Sequence, residues 1–250
     1  MNTPAAPDKN PAIPVEVCIH SKDDAYVSRS VSSAWQGGAG RIELCAHMEQ
    51  DGLTPSVKHI ELAREAFRDR PGLLPMIRPR GGDFFYHRDD IALMEQQIKA
   101  AARAGADGVV IGVLDQETSA VHKPYSERLV GMAREHGLSV SFHRAFDAAS
   151  DWQYALDTLL GLGIDRVLTS GMPWGSAGTA LDGVERLVQM AAFVGGEIEI
   201  VAGGGVAIDN GPAIVSALTG KRCSLHAYSS MLTDGEVSPQ KVQQLVSLTA

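Results

Sequence analysis

Gly163-Ile164-Asp165-Arg166-Val167 is a turn that passes at once into an apolar run. The same arrangement occurs at Gly38-Ala39-Gly40-Arg41-Ile42 and at Gly105-Ala106-Asp107-Gly108-Val109. In each, glycine falls where an amphipathic helical pattern stops, the position at which a left-handed residue caps a helix. The strand follows immediately, so the connection is short. Three such turns predict a repeating helix-to-strand unit. They belong to the face opposite the strand C-terminal ends, where their role is stability.

Outward from these turns, short Val/Ile/Leu-rich runs alternate with helical patterns along the whole chain. Strands are predicted at 14–19, 41–45, 73–78, 108–114, 139–144, 166–170, 197–203 and 224–228. Several are continuously apolar, as strands of a parallel sheet buried on both faces are. Thr54-Pro55 and Ser238-Pro239 read as N-caps followed by proline in the first helical turn, and Asn210 with Pro212 marks another start. Ile91, Met94, Ile98 and Ala101 share one helical face, as do Leu181, Val184, Leu187, Val188 and Ala191. Eight strands alternating with helices predict a single-domain (β/α)8 TIM-like barrel over 14–250. A doubly wound open sheet is the alternative, and it normally needs fewer strands. Residues 1–13, rich in proline, alanine and polar groups without the apolar centre of a signal peptide, read as a disordered tail.

Composition narrows the function classes. The chain has 250 residues, 44% apolar and 21% charged, with a formal charge of −8, so neither a nucleic-acid footprint nor a membrane span is expected. Its three cysteines, Cys18, Cys45 and Cys223, form no disulfide framework and predict reduced thiols in the cytoplasm.

In a barrel, function gathers at the strand C-terminal ends. The first two strands share Glu16-Val17-Cys18 and Glu43-Leu44-Cys45, and the period of two puts each glutamate on the face of its cysteine. A carboxylate inside an apolar barrel is costly unless partnered. Glu16 and Glu43 are therefore either acid/base groups or ion-pair partners of Arg78 or Arg80. Cys18 and Cys45 are either thiolate ligands of a soft metal, Cu(I) or zinc, or small buried hydrophobes.

The third strand ends in Ile77-Arg78-Pro79-Arg80-Gly81-Gly82-Asp83-Phe84. Arg78 and Arg80 beside a permissive glycine pair suit an oxyanion, since guanidinium recognises carboxylate and phosphate in a forked geometry. Their alternative is a surface turn paired with nearby acids. The fifth strand ends in Ser141-Phe142-His143-Arg144, with His143 on the face of Ser141 and Arg144 on the other. His143 and His226, at the ends of the fifth and eighth strands, are candidate acid/base groups or metal ligands. Ser170 and the run Gly203-Gly204-Gly205 read as parts of an anion cradle, with Arg144, or as tight backbone packing.

With these residues in place, the chain resembles the CutC family, named for copper homeostasis. The resemblance rests on 16–19, Arg41 to Ala46, Gly52-Leu53-Thr54-Pro55-Ser56, Ile77 to Phe84, Phe142 to Asp147, Leu168 to Gly171, Ala202 to Val206 and Leu225-His226-Ala227. It implies a TIM-like barrel, a cytoplasmic location, copper handling, and self-association as a homodimer or larger homo-oligomer. Cys18 and Cys45 match positions proposed to bind copper in a family member. The chain departs from its family where Phe85 replaces a frequent cysteine and Ala148-Ala149 a usual Met-Cys, and where Asp51 replaces a usual glycine. The segment between Cys18 and Cys45 and the loop carrying Met172-Pro173-Trp174-Gly175-Ser176 are longer than usual, and that loop is positioned to act as a lid.

Two readings follow. One is a cytoplasmic copper homeostasis protein that binds Cu(I) at Cys18 and Cys45, with Glu16 or His226 nearby. The other is an enzyme acting on a small anionic or phosphorylated metabolite. Arg78 and Arg80 would clamp the anion, Gly203 to Gly205 would hold phosphate, and Glu16, Glu43 and His143 would supply acid/base groups.

Overall fold

The computed structural model describes residues 13–249. Eight parallel strands, β1 (Val15–His20), β2 (Arg41–Cys45), β3 (Leu73–Pro75), β4 (Gly108–Ile111), β5 (Ser139–Phe142), β6 (Arg166–Thr169), β7 (Glu199–Gly203) and β8 (Cys223–Ala227), follow the order β3-β2-β1-β8-β7-β6-β5-β4. The seam between β3 and β4 is joined by a single parallel bridge, Met76 to Val110, with the Ile77 N–H donating to the Val110 carbonyl at 2.8 Å. This is the expected (β/α)8 barrel. The predicted tail falls almost entirely outside the described residues; Ile13 donates its N–H to the Thr249 carbonyl at 3.0 Å.

Helices α1 (Asp24–Gln36), α2 (Val57–Phe67), α3 (Arg88–Arg103), α4 (Lys123–Glu135), α5 (Trp152–Gly161), α6 (Val184–Phe193), α7 (Gly211–Leu218) and α8 (Pro239–Ser247) follow the strands in turn. A short antiparallel pair, β9 (Leu232–Thr233) and β10 (Glu236–Val237), sits between β8 and α8. The glycine turns are Schellman motifs. Gly38, Gly105 and Gly163 lie just past their helix caps at φ of 86°, 91° and 69°, and the next N–H reaches back to the carbonyls of Ala34, Ala101 and Leu159. Gly137, at φ 72°, makes a fourth.

Two local expectations are corrected. Helix α2 is capped by Ser56, whose hydroxyl accepts from the His59 N–H, because Thr54 spends its hydroxyl on Gln97 and on the Arg78 N–H. Helix α6 begins at Val184, so Leu181 precedes it and lies exposed. The α3 face is as read: Ile91, Met94, Ile98 and Ala101 are buried.

Alternation along β1 sorts its side chains. Val15, Val17 and Ile19 pack outward in the core beneath the helices, while Cys18 joins Cys45, Leu74, Met76 and Val110 inside the barrel. The register sets Glu16 beside Arg41 on one side and His226 on the other, and Cys18 beside Glu43. Those pairings place the site.

Candidate functional site

The lower barrel interior is ionic. Arg41, the first residue of β2, donates Nε to Glu16 Oε2 at 3.0 Å and Nη2 to Glu199 Oε1 and to Ser224 Oγ, both at 2.6 Å. Arg166, the first residue of β6, reaches Glu199 at 3.8 Å and Ser139 Oγ at 3.1 Å. The partner of Glu16 is thus Arg41, not Arg78 or Arg80, which rise away from the barrel floor. Arg41, Arg166 and Glu199 were not expected in the site. The two arginines carry a sequence signal, since two of the three glycine turns lead into an arginine at the first strand position; Glu199 carries none.

Above this layer, His226 connects the ion pairs to the thiols. Its Nδ1 lies 2.8 Å from Glu16 Oε1 and its Nε2 lies 3.6 Å from Glu43 Oε2. Burial opposes a charged imidazole, but Cys18, Glu16 and Glu43 outweigh it and raise His226 well above its usual range. Burial alone would raise Glu16; the hydrogen bond and charge of His226, with Arg41, bring it instead to about 2. Glu16 therefore has both oxygens engaged as a carboxylate. Glu43 differs: burial pushes it well above the carboxylate range, and its Oε1 has no partner.

The thiols divide in the same way. A hydrogen bond from Cys45, helped by His226, overcomes burial and lowers Cys18 to about 6. Cys45 rises well above a normal thiol, through that bond to Cys18 and through burial. The cluster is therefore polarised: burial and its neighbours push the Glu43 carboxyl and the Cys45 thiol up, while Cys18 is brought down beside His226. Among the described residues, Cys18, Glu43 and Cys45 are the one trio of histidine, cysteine or carboxylate ligands whose donor atoms converge, all within 4.8 Å of one another. Cys223 stands apart, buried and raised to about 11 by that burial.

A cavity of about 290 Å³ opens above the trio, lined also by Met48, Met76, Arg78, His143, Arg144 and His226. Phe84 and Trp174 wall it, their rings 5.3 Å apart and edge-on. The long loop after β6 thus reaches the mouth, anchored where Trp174 N–H donates to the Asp147 carbonyl at 2.8 Å. A larger groove, about 700 Å³, lies between α2 and the loops after β1 and β2. Its histidines are half-buried or exposed, whereas the convergent buried ligands line the smaller cavity.

The two expected clamp arginines part company. Arg78 is buried at 1% exposure, and its Nη atoms donate to the carbonyls of Gln50, Gly52 and Gly82. Arg80 points outward to Asp83 and Asp90 over the Tyr86 ring, away from the cavity lining. Arg144, expected on the opposite side of β5 from His143, reaches the mouth too. The strand ends at Phe142 and the chain turns into a single 3-10 turn, Arg144–Ala148, capped by His143 Nδ1 accepting the Ala145 N–H. There Arg144 donates to Asp147 at 2.8 Å and to Ser170 Oγ at 3.1 Å.

The glycine run after β7 sits against side chains. A Cβ on Gly203 would lie 2.5 Å from Leu168 Cδ1 and 3.2 Å from His226 Cβ, and one on Gly205 would lie 2.7 Å from Thr179 Cγ2. Gly204, at φ 105°, backs onto Ser170 and Arg144. These glycines make room for His226 and for the Arg144–Ser170 pair.

Fold and site together define a parallel (β/α)8 barrel with a dithiol–carboxyl cluster at the floor of its mouth. The chain belongs to the CutC family, whose model matches residues 13–230. It is 39% identical to a CutC family protein of Aliivibrio fischeri (strain MJ11), over 88% of this chain and 83% of that one. It is 38% identical to the copper homeostasis protein cutC homolog of Mus musculus, over 78% of this chain and 66% of the mouse protein. A crystal structure of a CutC protein from Streptococcus agalactiae superposes with a TM-score of 0.74 at 28% identity, covering 86% of this chain and 98% of that one.

Proposed function

We propose that this chain binds Cu(I) through Cys18 and Cys45 and thereby serves copper homeostasis in the cytoplasm. The observation that carries this reading is the convergence of Cys18, Glu43 and Cys45 within 4.8 Å. Thiolates select soft ions such as Cu(I) and zinc. A structural zinc site would need four neutral or anionic ligands. Here the neighbouring imidazole is tied through Nδ1 to Glu16 and stands outside the converging trio, which leaves a low-coordinate thiolate site that suits Cu(I). The thioether of Met48, close by Cys45 across Gly52, is a further soft donor. Cytoplasmic residence and self-association belong to the same reading: all three cysteines are free thiols, and sedimentation of the purified chain tests the oligomer.

Anaerobic titration with Cu(I) against a competing Cu(I) chelator tests the binding. One equivalent is expected to bind the wild-type chain, with the tight binding lost in Cys18→Ser and in Cys45→Ser. A Cys18→Ser/Cys45→Ser double variant of unchanged affinity would end the reading.

A further inference from the structure

Arg78 carries a charge that no carboxylate among the described residues balances. It is buried, its Nη atoms donate to three backbone carbonyls, its guanidinium lies 5.1 Å from the centre of the Phe84 ring, its Nε has no hydrogen-bond partner, and no carboxylate pairs with it among the described residues. An isolated buried charge is costly, and the usual resolution is a counter-ion. Arg78 lines the cavity, so a ligand can supply one.

Two neighbours on the same side of the mouth also have donors to spare. His143 uses Nδ1 as an acceptor for the Ala145 N–H at 3.0 Å, which places its proton on Nε2, and Nε2 has no partner. Burial and the charge of Arg78 hold this imidazole down to about 3, so it stays a neutral donor throughout the working pH range. The ring position is enforced: a Cβ on Gly112 would lie 2.3 Å from His143 Cε1, and the Phe84 ring packs 5.3 Å away. Arg144 commits Nε to Asp147 and Nη2 to Ser170, while Nη1 takes no acceptor among the described residues.

We propose that this half of the cavity is a binding site for a compact carboxylate bearing a second oxygen on the adjacent carbon. Its carboxylate would be taken by the guanidinium groups of Arg78 and Arg144, and its second oxygen by the imidazole of His143. The walls fit a short planar ligand. Phe84 and Trp174 are flat and apolar, Met76 and Leu168 also line the cavity, and about 290 Å³ leaves room for a few carbon atoms. A neutral imidazole donates to an oxo or hydroxyl oxygen without adding a third positive charge. The mouth is thus divided: thiols, Glu43, Met48 and Asp51 on the β1–β2 side, and guanidinium and imidazole donors on the β3–β5 side.

The site stands whether or not the thiols hold copper, so its test uses metal-free protein, and repeats the measurement in a Cys18→Ser/Cys45→Ser background. Pyruvate, propionate, pyruvamide and inorganic phosphate are titrated by calorimetry, with the His143 ring followed by 15N NMR. Pyruvate is expected to bind saturably and to shift the His143 Nε2 signal, with pyruvamide weaker for want of charge. Arg144→Met should weaken pyruvate at least about tenfold, the worth of one charge-assisted hydrogen bond. His143→Phe should abolish the preference for pyruvate over propionate while propionate still binds. The proposal is overturned if pyruvate shows no saturable binding, if Arg144→Met binds it unchanged, or if phosphate binds as tightly as pyruvate.

Discussion

His226 and Glu16 are held 2.8 Å apart, Nδ1 to Oε1, on neighbouring strands β8 and β1. This contact joins the two layers of the barrel interior. Below it, Glu16 is fixed by Arg41; above it, His226 adds to the hydrogen bond from Cys45 in bringing the Cys18 thiol down. Removing Glu16 therefore acts on both stability and thiol chemistry.

Glu16→Gln is expected to destabilise the fold by about 3–5 kcal/mol, because Arg41 and His226 lose a shared buried carboxylate. Urea unfolding measures this. A loss below about 1 kcal/mol would show that the network is not held through Glu16.

The pH dependence has a defined sign. Glu16 is depressed from 4.5 to about 2, so its contribution is full above pH 4.5 and is lost as pH falls through that window. The shift is worth on the order of 3 kcal/mol. His226 is raised, so its contribution is full at pH below its unfolded value of 6.5 and is lost as pH rises through its folded pKa. Stability should accordingly fall on the acid side between 4.5 and 2, and Glu16→Gln should flatten that limb. Urea midpoints collected across pH check it; an acid limb identical in the variant would contradict the assignment.

The two site thiols should react in a fixed order. With Cys18 near 6 and Cys45 above a normal thiol, iodoacetamide is expected to modify Cys18 first, with a rate that levels off above about pH 7. Peptide mass mapping reads the order. Preferential labelling of Cys45, or a rate still climbing through pH 9, would reverse the assignment of thiolate and thiol.

Much of this was legible in the sequence, and the exceptions have identifiable causes. The barrel followed from helix-capping glycines such as Gly163 and from apolar runs, because both are local signals. The pairing of Glu16 with Cys18 on one face followed from strand period. What escaped was set by register and by strand ends. Arg41 became the partner of Glu16 because β1 and β2 align Glu16 with it, which no local pattern states. Arg144 reached the mouth because β5 stops at Phe142, two residues earlier than its apolar pattern suggests. Arg78 and Arg80 look alike in sequence and separate in space, since the backbone at 77–82 turns one inward to carbonyls and the other outward to acids.

A steric prediction tests the packing around His143. Gly112→Ala would place a methyl 2.3 Å from the His143 ring and should cost about 1–3 kcal/mol. The variant should also shift the His143 ring signals in NMR. Unchanged stability with unchanged ring signals would mean that the ring is not held against Gly112.

The proposed site has Cys18 and Cys45 holding a soft ion while His226 stays engaged with Glu16 and outside the coordination. X-ray absorption at the copper edge of the Cu(I)-loaded chain tests it most directly. A low-coordinate first shell of sulfur is expected, with no imidazole scattering and no signal in Cys18→Ser/Cys45→Ser. An imidazole nitrogen in the first shell, or copper retained by the double variant with the same spectrum, would contradict it.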